Sequence, residues 1–155
     1  MATSFFLEGR AIGPDKPPYI IAEISGNHEG RIETAFALIE AAAAAGADAV
    51  KFQTYEADTI TLKSDAPAFC VQEKLWAGER LYDLYKKAQT PFAWHKDLFT
   101  KAREIGITAF SAPFDTSAVD LLETLQTPFY KIASCELVDI PLLEKVGTTG
   151  KPVIL

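Results

Sequence analysis

One repeated unit constrains the fold of this chain more than any other feature: a short, unbroken apolar run followed by an amphipathic stretch. The apolar runs fall at 19–24, 48–53, 107–111, 128–133 and 151–155. After the first, Ile32, Phe36, Ile39 and Ala43 recur at helical spacing within 31–45, and Gly46 ends the stretch. Further helices are predicted over 79–88 and to about Ile105 from a Thr90 N-cap with Pro91 first in the helix. Asp115 and Asp139 are read as caps of helices running through Leu125 and to about Val146. Strands that are apolar throughout, rather than alternating, fit burial on both faces and hence a parallel sheet.

A doubly wound sheet and a barrel both fit this order. A dinucleotide-binding sheet calls for Gly-x-Gly-x-x-Gly after its first strand, and Ser25-Gly-Asn-His-Glu-Gly30 lacks that pattern. The predicted fold is therefore α/β, a (β/α)8 TIM barrel represented by its first half or slightly more, with an N-terminal β-hairpin. Residues 1–18 form the hairpin, turning at Glu8-Gly9, and a Pro- and Gly-rich loop; 19–155 form the incomplete barrel. Lys151-Pro-Val-Ile-Leu155 reads as the start of a buried strand, so later strands are expected beyond it. The stretch 55–78 has no clear periodicity and joins a strand end to a helix start. It is predicted to lie at the carboxyl end of the sheet, where long βα loops cover active sites.

Charge and composition narrow the function classes. With 15 Lys+Arg against 21 Asp+Glu, the balance argues against a nucleic-acid binder, which would show a basic face. No apolar run approaches the roughly 20 residues of a membrane span. The residues after Met1 have neither the basic start nor the long apolar core of a signal peptide. Cys70 and Cys135 are accordingly read as reduced thiols of a cytoplasmic protein.

In a barrel, function collects at the strands' carboxyl ends. Those ends carry Glu23, Lys51 with Gln53, Ser111, and Lys131 followed by Ser134 and Glu136. Lys51 and Gln53, two apart, share a face of their strand. A lysine inside an apolar strand is costly without a counter-charge or a ligand. Two such lysines beside a carboxylate point to an anionic, oxygen-rich ligand; the bland alternative pairs each with Glu23 or Glu136. His28 is read as a loop histidine that orders its turn, with a metal ligand or proton carrier as the alternative, and His95 as a surface residue. Neither forms a His-x-x-x-His pair, so no metal ligands are assigned within these residues. Trp76, Tyr82 and Tyr85 are read as packing residues, and Cys135 as passive.

Four motifs carry a resemblance: Ile20-Ile-Ala-Glu-Ile-Ser-Gly-Asn-His28, Gly46-Ala-Asp-Ala-Val-Lys-Phe-Gln-Thr54, Phe110-Ser-Ala-Pro-Phe-Asp115 and Tyr130-Lys-Ile-Ala-Ser-Cys-Glu136. Together they resemble the sialic acid synthase family. Leu75-Trp-Ala-Gly-Glu-Arg-Leu-Tyr-Asp-Leu-Tyr85, followed by Thr90-Pro-Phe-Ala-Trp-His95, looks most like its pseudaminic acid synthase branch.

The resemblance implies a (β/α)8 barrel with a C-terminal antifreeze-like domain, and condensation of phosphoenolpyruvate with an N-acylated amino sugar to a nonulosonic acid and phosphate. In the pseudaminic branch the sugar is 2,4-diacetamido-2,4,6-trideoxy-L-altrose. It implies a divalent metal, Mn2+ or Mg2+, polarising the sugar aldehyde, with its histidine ligands beyond residue 155. Carried over by motif, Glu23 is the catalytic proton-handling group. Lys51, Gln53, Ser111 and Glu136 would contact the sugar, and Lys131 and Ser134 would hold phosphoenolpyruvate. A homodimer is implied for the longer protein only. Three positions depart from the family pattern: Glu29 follows Asn27-His28 where Asn is usual, Ala112 stands where Ser or Thr is common, and Cys135 where Phe or Gly is common.

The resemblance also fits an N-acetylneuraminate or legionaminate synthase. Outside it, the residues alone allow a Schiff-base aldolase using Lys51 or Lys131. They also allow a non-catalytic barrel fragment. With the metal ligands placed beyond residue 155, these 155 residues alone are expected to be inactive.

Overall fold

The computed structural model describes residues 5–72 and 76–155. The signal-peptide reading of the first residues, and Leu75 at the head of the branch motif, lie outside them.

Strands β1 (Phe5–Leu7) and β2 (Arg10–Ile12) form the expected antiparallel hairpin. Glu8 and Gly9 both have positive φ, 51° and 77°. Two left-handed residues match the twist of a tight hairpin, and Gly9 takes that conformation without strain. The remaining strands are β3 (Ile21–Glu23), β4 (Ala49–Thr54), β5 (Thr108–Pro113), β6 (Tyr130–Lys131) and β7 (Val153–Ile154). They make one five-stranded sheet, parallel throughout, in the order β3-β4-β5-β6-β7. Spatial order follows chain order without the reversal of a doubly wound sheet. The architecture is an α/β half-barrel, and all the carboxyl ends lie along one rim.

The crossovers are helices α1 (Ile32–Ala44), α2 (Ala57–Ile60), α3 (Leu81–Ala88), α4 (Phe92–Ile105), α5 (Thr116–Thr124) and α6 (Ile140–Thr148). Asp115 caps α5 by accepting from the Ala118 amide at 2.8 Å, and Asp139 caps α6 by accepting from Leu142 at 3.1 Å. Gly106 ends α4 with φ 84°, a left-handed stop that costs glycine little. The segment 55–78 is not irregular throughout. Its described part holds α2 and a 3-10 turn at Pro67–Phe69, and Cys70 bridges to Arg80.

The sheet has two different faces. Val50, Phe52, Tyr130 and Ile132 meet Ile39, Leu98, Phe99 and Leu122 of the helices in the main core. A fully buried aliphatic or Phe side chain contributes about 1.5–3 kcal/mol, so this layer holds the crossovers down. On the inner face Ala49, Phe110 and Phe129 meet Leu7 of the hairpin. The Phe110 and Phe129 rings lie 4.1 Å apart. The hairpin closes the amino end: Arg10 pairs with Asp48 and donates to the Pro18 carbonyl at 2.7 Å, while Asp48 accepts from the Ile20 amide at 2.7 Å.

Candidate functional site

Register decides which strand-end side chains meet. Glu23 lies opposite Lys51 in the β3–β4 pair. The Lys51 ammonium donates to Glu23 Oε1 at 2.6 Å. The Ser25 hydroxyl donates to the same oxygen. Ser25 has φ 46°, so a left-handed backbone turns it back toward the carboxylate. The pair is asymmetric: the Lys51 side chain is 11% exposed and that of Glu23 51%. The cation is embedded in the sheet and the carboxylate faces the rim. Gln53, two residues on, shares the Lys51 face.

Lys131 occupies that face too. Ser111 is register-paired with Tyr130, which packs among the helices, so the next residue, Lys131, points inward beside Ile154. Lys131 is half-buried, and among the described residues it makes no ion pair. The pairing alternative thus holds for Lys51 with Glu23 and not for Lys131 with Glu136.

Ser111 is a correction. It is paired with Phe52 and shares the helix face of the sheet, opposite to Lys51 and Gln53. It is fully buried, and its hydroxyl lies 2.6 Å from Thr54 Oγ1, which in turn lies 2.8 Å from His95 Nε2. Ser111 braces β5 to β4 and α4, and it does not join the inner-face groups.

Both histidines are fully buried. For His95 this corrects the surface assignment. Its second ring nitrogen lies 3.1 Å from the Pro91 carbonyl, and burial pushes its pKa down to about 4. His28 orders its turn as expected, accepting from the Gly30 amide at 3.1 Å, and its Nε2 lies 3.2 Å from Thr90 Oγ1. Burial lowers its pKa as well. Thr90 therefore does not cap α4: Pro91 holds the N-cap position, and the Thr90 hydroxyl is turned to a histidine far away in sequence.

At the rim a cleft of about 500 Å³ opens between Gln53, Asn27 and Glu136 on one side and the 55–88 excursion on the other. Trp76 lines it and is 47% exposed, so it is a cleft residue rather than a packing one. Tyr85 both packs and lines: its ring stands edge-on to Tyr55 at 6.2 Å. Tyr55 and Phe114 (rings 5.3 Å apart) also line the cleft, and strand-end reading missed them because aromatic residues read as core. Their position directly after strands β4 and β5 was the available signal. Ser134 is exposed at the head of the 3-10 turn Ser134–Val138, and Glu136 follows in it. The Cys135 thiol donates to Glu136 Oε2 at 3.0 Å, and that carboxylate pushes the thiol pKa up, which fits a passive cysteine.

Among the described residues no three His, Cys, Asp or Glu side chains are grouped to hold a metal ion. His28 and His95 have their ring nitrogens engaged as above, so the residues present do not fit a divalent metal. No helix among the described residues is long and apolar enough to cross a membrane. A larger hollow, about 720 Å³, lies at the opposite end beside Gly106, Thr108 and Lys151. Two of the charges that line it are paired: Lys151 donates to Glu123 at 2.6 Å, and Tyr130 donates to the same oxygen.

Comparison with known proteins agrees with this geometry. Residues 38–155 match the model of the NeuB family. The chain is 47% identical over 140 residues to the pseudaminic acid synthase of Helicobacter pylori, covering 90% of this chain and 41% of that protein. It is 43% identical over 141 residues to the Campylobacter jejuni pseudaminic acid synthase, covering 91% and 41%. A crystal structure of an N-acetylneuraminic acid synthetase from Leptospira borgpetersenii superposes with a TM-score of 0.83 at 29% identity, over 99% of this chain and 49% of that one. The chain thus spans about two-fifths of the length of these curated relatives. With its parallel half-barrel and its synthase motifs set along one rim, the chain belongs to the NeuB family, that of the sialic acid synthases.

Proposed function

We propose that, in a protein of its relatives' length, this chain supplies the first strands of a (β/α)8 barrel that condenses phosphoenolpyruvate with an N-acylated amino sugar. The β1–β2 hairpin closes the barrel's amino end and the strands from β3 onward carry the rim. The product is a nonulosonic acid, and phosphate is released. The sugar is a 2,4-diacetamido-2,4,6-trideoxyhexose of the pseudaminic type, and the setting is cytoplasmic. The observation that carries the reading is Lys131, without an ion-pair partner among the described residues, on the same inner face as the Lys51–Glu23 pair, below a cleft lined by Gln53 and Glu136.

The chemistry runs in two steps. The methylene carbon of phosphoenolpyruvate adds to the open-chain sugar aldehyde, whose oxygen takes up a proton. Water adds at the adjacent carbon and loses a proton; the hydroxyl so formed then gives up its own proton as it becomes the product's carbonyl, and the carbon–oxygen bond to phosphate breaks to release inorganic phosphate. Lys131, with Ser134 at the rim, holds the anionic phosphoenolpyruvate, whose charge grows at the leaving phosphate. Glu23 accepts or delivers the proton, positioned by Lys51 and Ser25. Gln53 and Glu136 contact the sugar. Ser111, on the other face, holds β4 and β5 in register. A divalent metal, Mn2+ or Mg2+, is proposed with ligands outside these residues.

The test is phosphate release from phosphoenolpyruvate by the full-length protein with a panel of amino sugars, and mass measurement of the product. Release without a carbon–carbon bonded product overturns the reading. The legionaminic reading keeps a place because an N,N'-diacetyllegionaminic acid synthase of C. jejuni is 37% identical over 142 residues; the same panel separates it. Borohydride trapping with a carbonyl substrate separates a Schiff-base aldolase.

A further inference from the structure

Three fully buried polar side chains, Ser111 on β5, Thr54 on β4 and His95 on α4, form a hydrogen-bonded chain that the proposed chemistry does not touch. Its protons can be placed. His95 is a neutral imidazole at pH 7, since burial pushes its pKa down to about 4. Its Nδ1 lies 3.1 Å from the Pro91 carbonyl, which only accepts, so the ring proton is on Nδ1. Nε2 is then a bare acceptor, and the Thr54 hydroxyl, 2.8 Å away, donates to it. Thr54 has no second proton, so the Ser111 hydroxyl, at 2.6 Å, donates to Thr54. Every bond runs one way, from β5 through β4 to α4. His28 takes the opposite tautomer: its Nδ1 accepts from the Gly30 amide, so its proton is on Nε2 and is donated to Thr90 Oγ1.

Thr54 is where this chain meets the rim. It is the last residue of β4, and its carbonyl accepts from the Phe114 amide at 3.2 Å, one residue past the end of β5. Gln53 and Tyr55 flank it, and both line the cleft, as does Phe114. Successive strand residues face opposite sides of a sheet, so Thr54 points among the helices with Ser111 while Gln53 shares the Lys51 face. A hydroxyl tied on one side therefore fixes the backbone that aims Gln53 on the other. Val at 54 and Ala at 111 would fill the same space with no polar group to satisfy. A fully satisfied buried network fixes one geometry, whereas apolar packing alone tolerates small shifts.

We propose that Thr54 is a positioning residue acting through Gln53 and Tyr55: the directed Ser111–Thr54–His95 chain locks the carboxyl ends of β4 and β5 to α4 and so sets the sugar side of the rim. The role rests on the proposed condensation and adds to it three residues that touch no substrate. Lys131, on β6, lies outside the chain, so phosphoenolpyruvate binding does not depend on it.

The experiment uses the full-length protein with 2,4-diacetamido-2,4,6-trideoxyaltrose, as wild type, Thr54→Val, Thr54→Ser and Ser111→Ala. Val keeps the shape of Thr but leaves His95 Nε2 without a donor and the Ser111 hydroxyl without an acceptor, whereas Ser keeps the hydroxyl. A small misplacement of positioning groups costs up to about 10²-fold, so Thr54→Val should cut kcat/KM for the sugar about tenfold to 10²-fold, with a raised sugar KM. The KM for phosphoenolpyruvate should stay near wild type, and Thr54→Ser should restore the sugar KM. Ser111→Ala should move the sugar KM in the same direction by a smaller, measurable factor, and it decides the matter if Thr54→Val does not fold. Partial unfolding lowers the amount of active enzyme and leaves KM alone, so a merely structural role does not produce this pattern. Calorimetry of sugar binding reads the same dependence without turnover. Nitrogen-15 NMR at pH 7 should find His95 protonated on Nδ1 and His28 on Nε2. A sugar KM unchanged in the folded variants, or His95 protonated on Nε2, overturns the positioning role and leaves the reaction standing. If sugar binding depends on the Thr54 hydroxyl as expected but no condensation follows, the proposed reaction fails and the role in setting the rim stands. If wild type neither binds nor turns over the sugar, both fail.

Discussion

Lys51 and Glu23 sit directly opposite each other on neighbouring parallel strands, with 2.6 Å between ammonium and carboxylate at the rim of the sheet. The cation is nearly enclosed and the carboxylate half in water, so the pair holds a positioned carboxylate at the rim rather than a buried bridge. In the full-length protein, Glu23→Gln should lower kcat by about 10²-fold or more, the usual share of a positioned acid–base group. The melting temperature should fall as well, since Gln leaves the nearly enclosed Lys51 ammonium without its counter-charge, a loss of about 1–3 kcal/mol. Steady-state kinetics and a thermal melt check this; a large melting shift with kcat intact would make the pair structural.

Among the described residues Lys131 makes no ion pair, so its counter-charge is proposed to be the substrate. Lys131→Ala should raise the KM for phosphoenolpyruvate on the order of 30-fold to 10³-fold, corresponding to about 2–4 kcal/mol for removing one partner of an enclosed charge pair. The KM for the sugar should change little. Equal loss for both substrates would place Lys131 outside the phosphoenolpyruvate subsite.

What was legible in the sequence and what was not divide along one line. Strands, helices and the caps Asp115 and Asp139 follow from local chemistry and stand in the structure. Which face a strand residue takes depends on pairing register, which no local signal gives. That is why Ser111 was grouped with Lys51 although its partner is Phe52. His95 did leave a signal: with Leu98, Phe99 and Ala102 it keeps the three–four spacing of the buried face of α4. Thr90 beside Pro91 has the composition of a cap, and a tertiary contact with His28 overrode it.

The buried His95 makes stability depend on pH with a definite sign. Its folded pKa, about 4, lies below the ordinary histidine value near 6.5, so the unfolded chain binds the proton first as pH falls. Its contribution is complete above pH ~6.5 and is lost progressively toward pH ~4, at about 1.4 kcal/mol per pH unit. His28, also lowered by burial, acts in the same direction. Urea unfolding at pH 7.5 and pH 5 should show the loss, and His95→Gln should flatten the slope while lowering stability at pH 7.5, where the Thr54 and Pro91 contacts are intact.

Gly26 is the point where the cleft wall meets the barrel, and its lack of a side chain is what permits the contact. A Cβ there would lie 2.8 Å from the Ala88 backbone oxygen and 3.2 Å from its Cβ. The obstacle is mainly backbone, so a rotamer change cannot relieve it; the end of α3 or the β3–α1 loop has to move. Gly26→Ala should therefore cost about 1–3 kcal/mol, the usual penalty for overpacking. The displaced α3 would carry Leu84 and Tyr85 with it, so sugar KM should rise while phosphoenolpyruvate KM, set at Lys131 on the inner face, stays near wild type. Limited proteolysis should cut the variant faster within 55–88. A variant with wild-type protection and an unchanged sugar KM would show that the Gly26–Ala88 contact does not hold the wall.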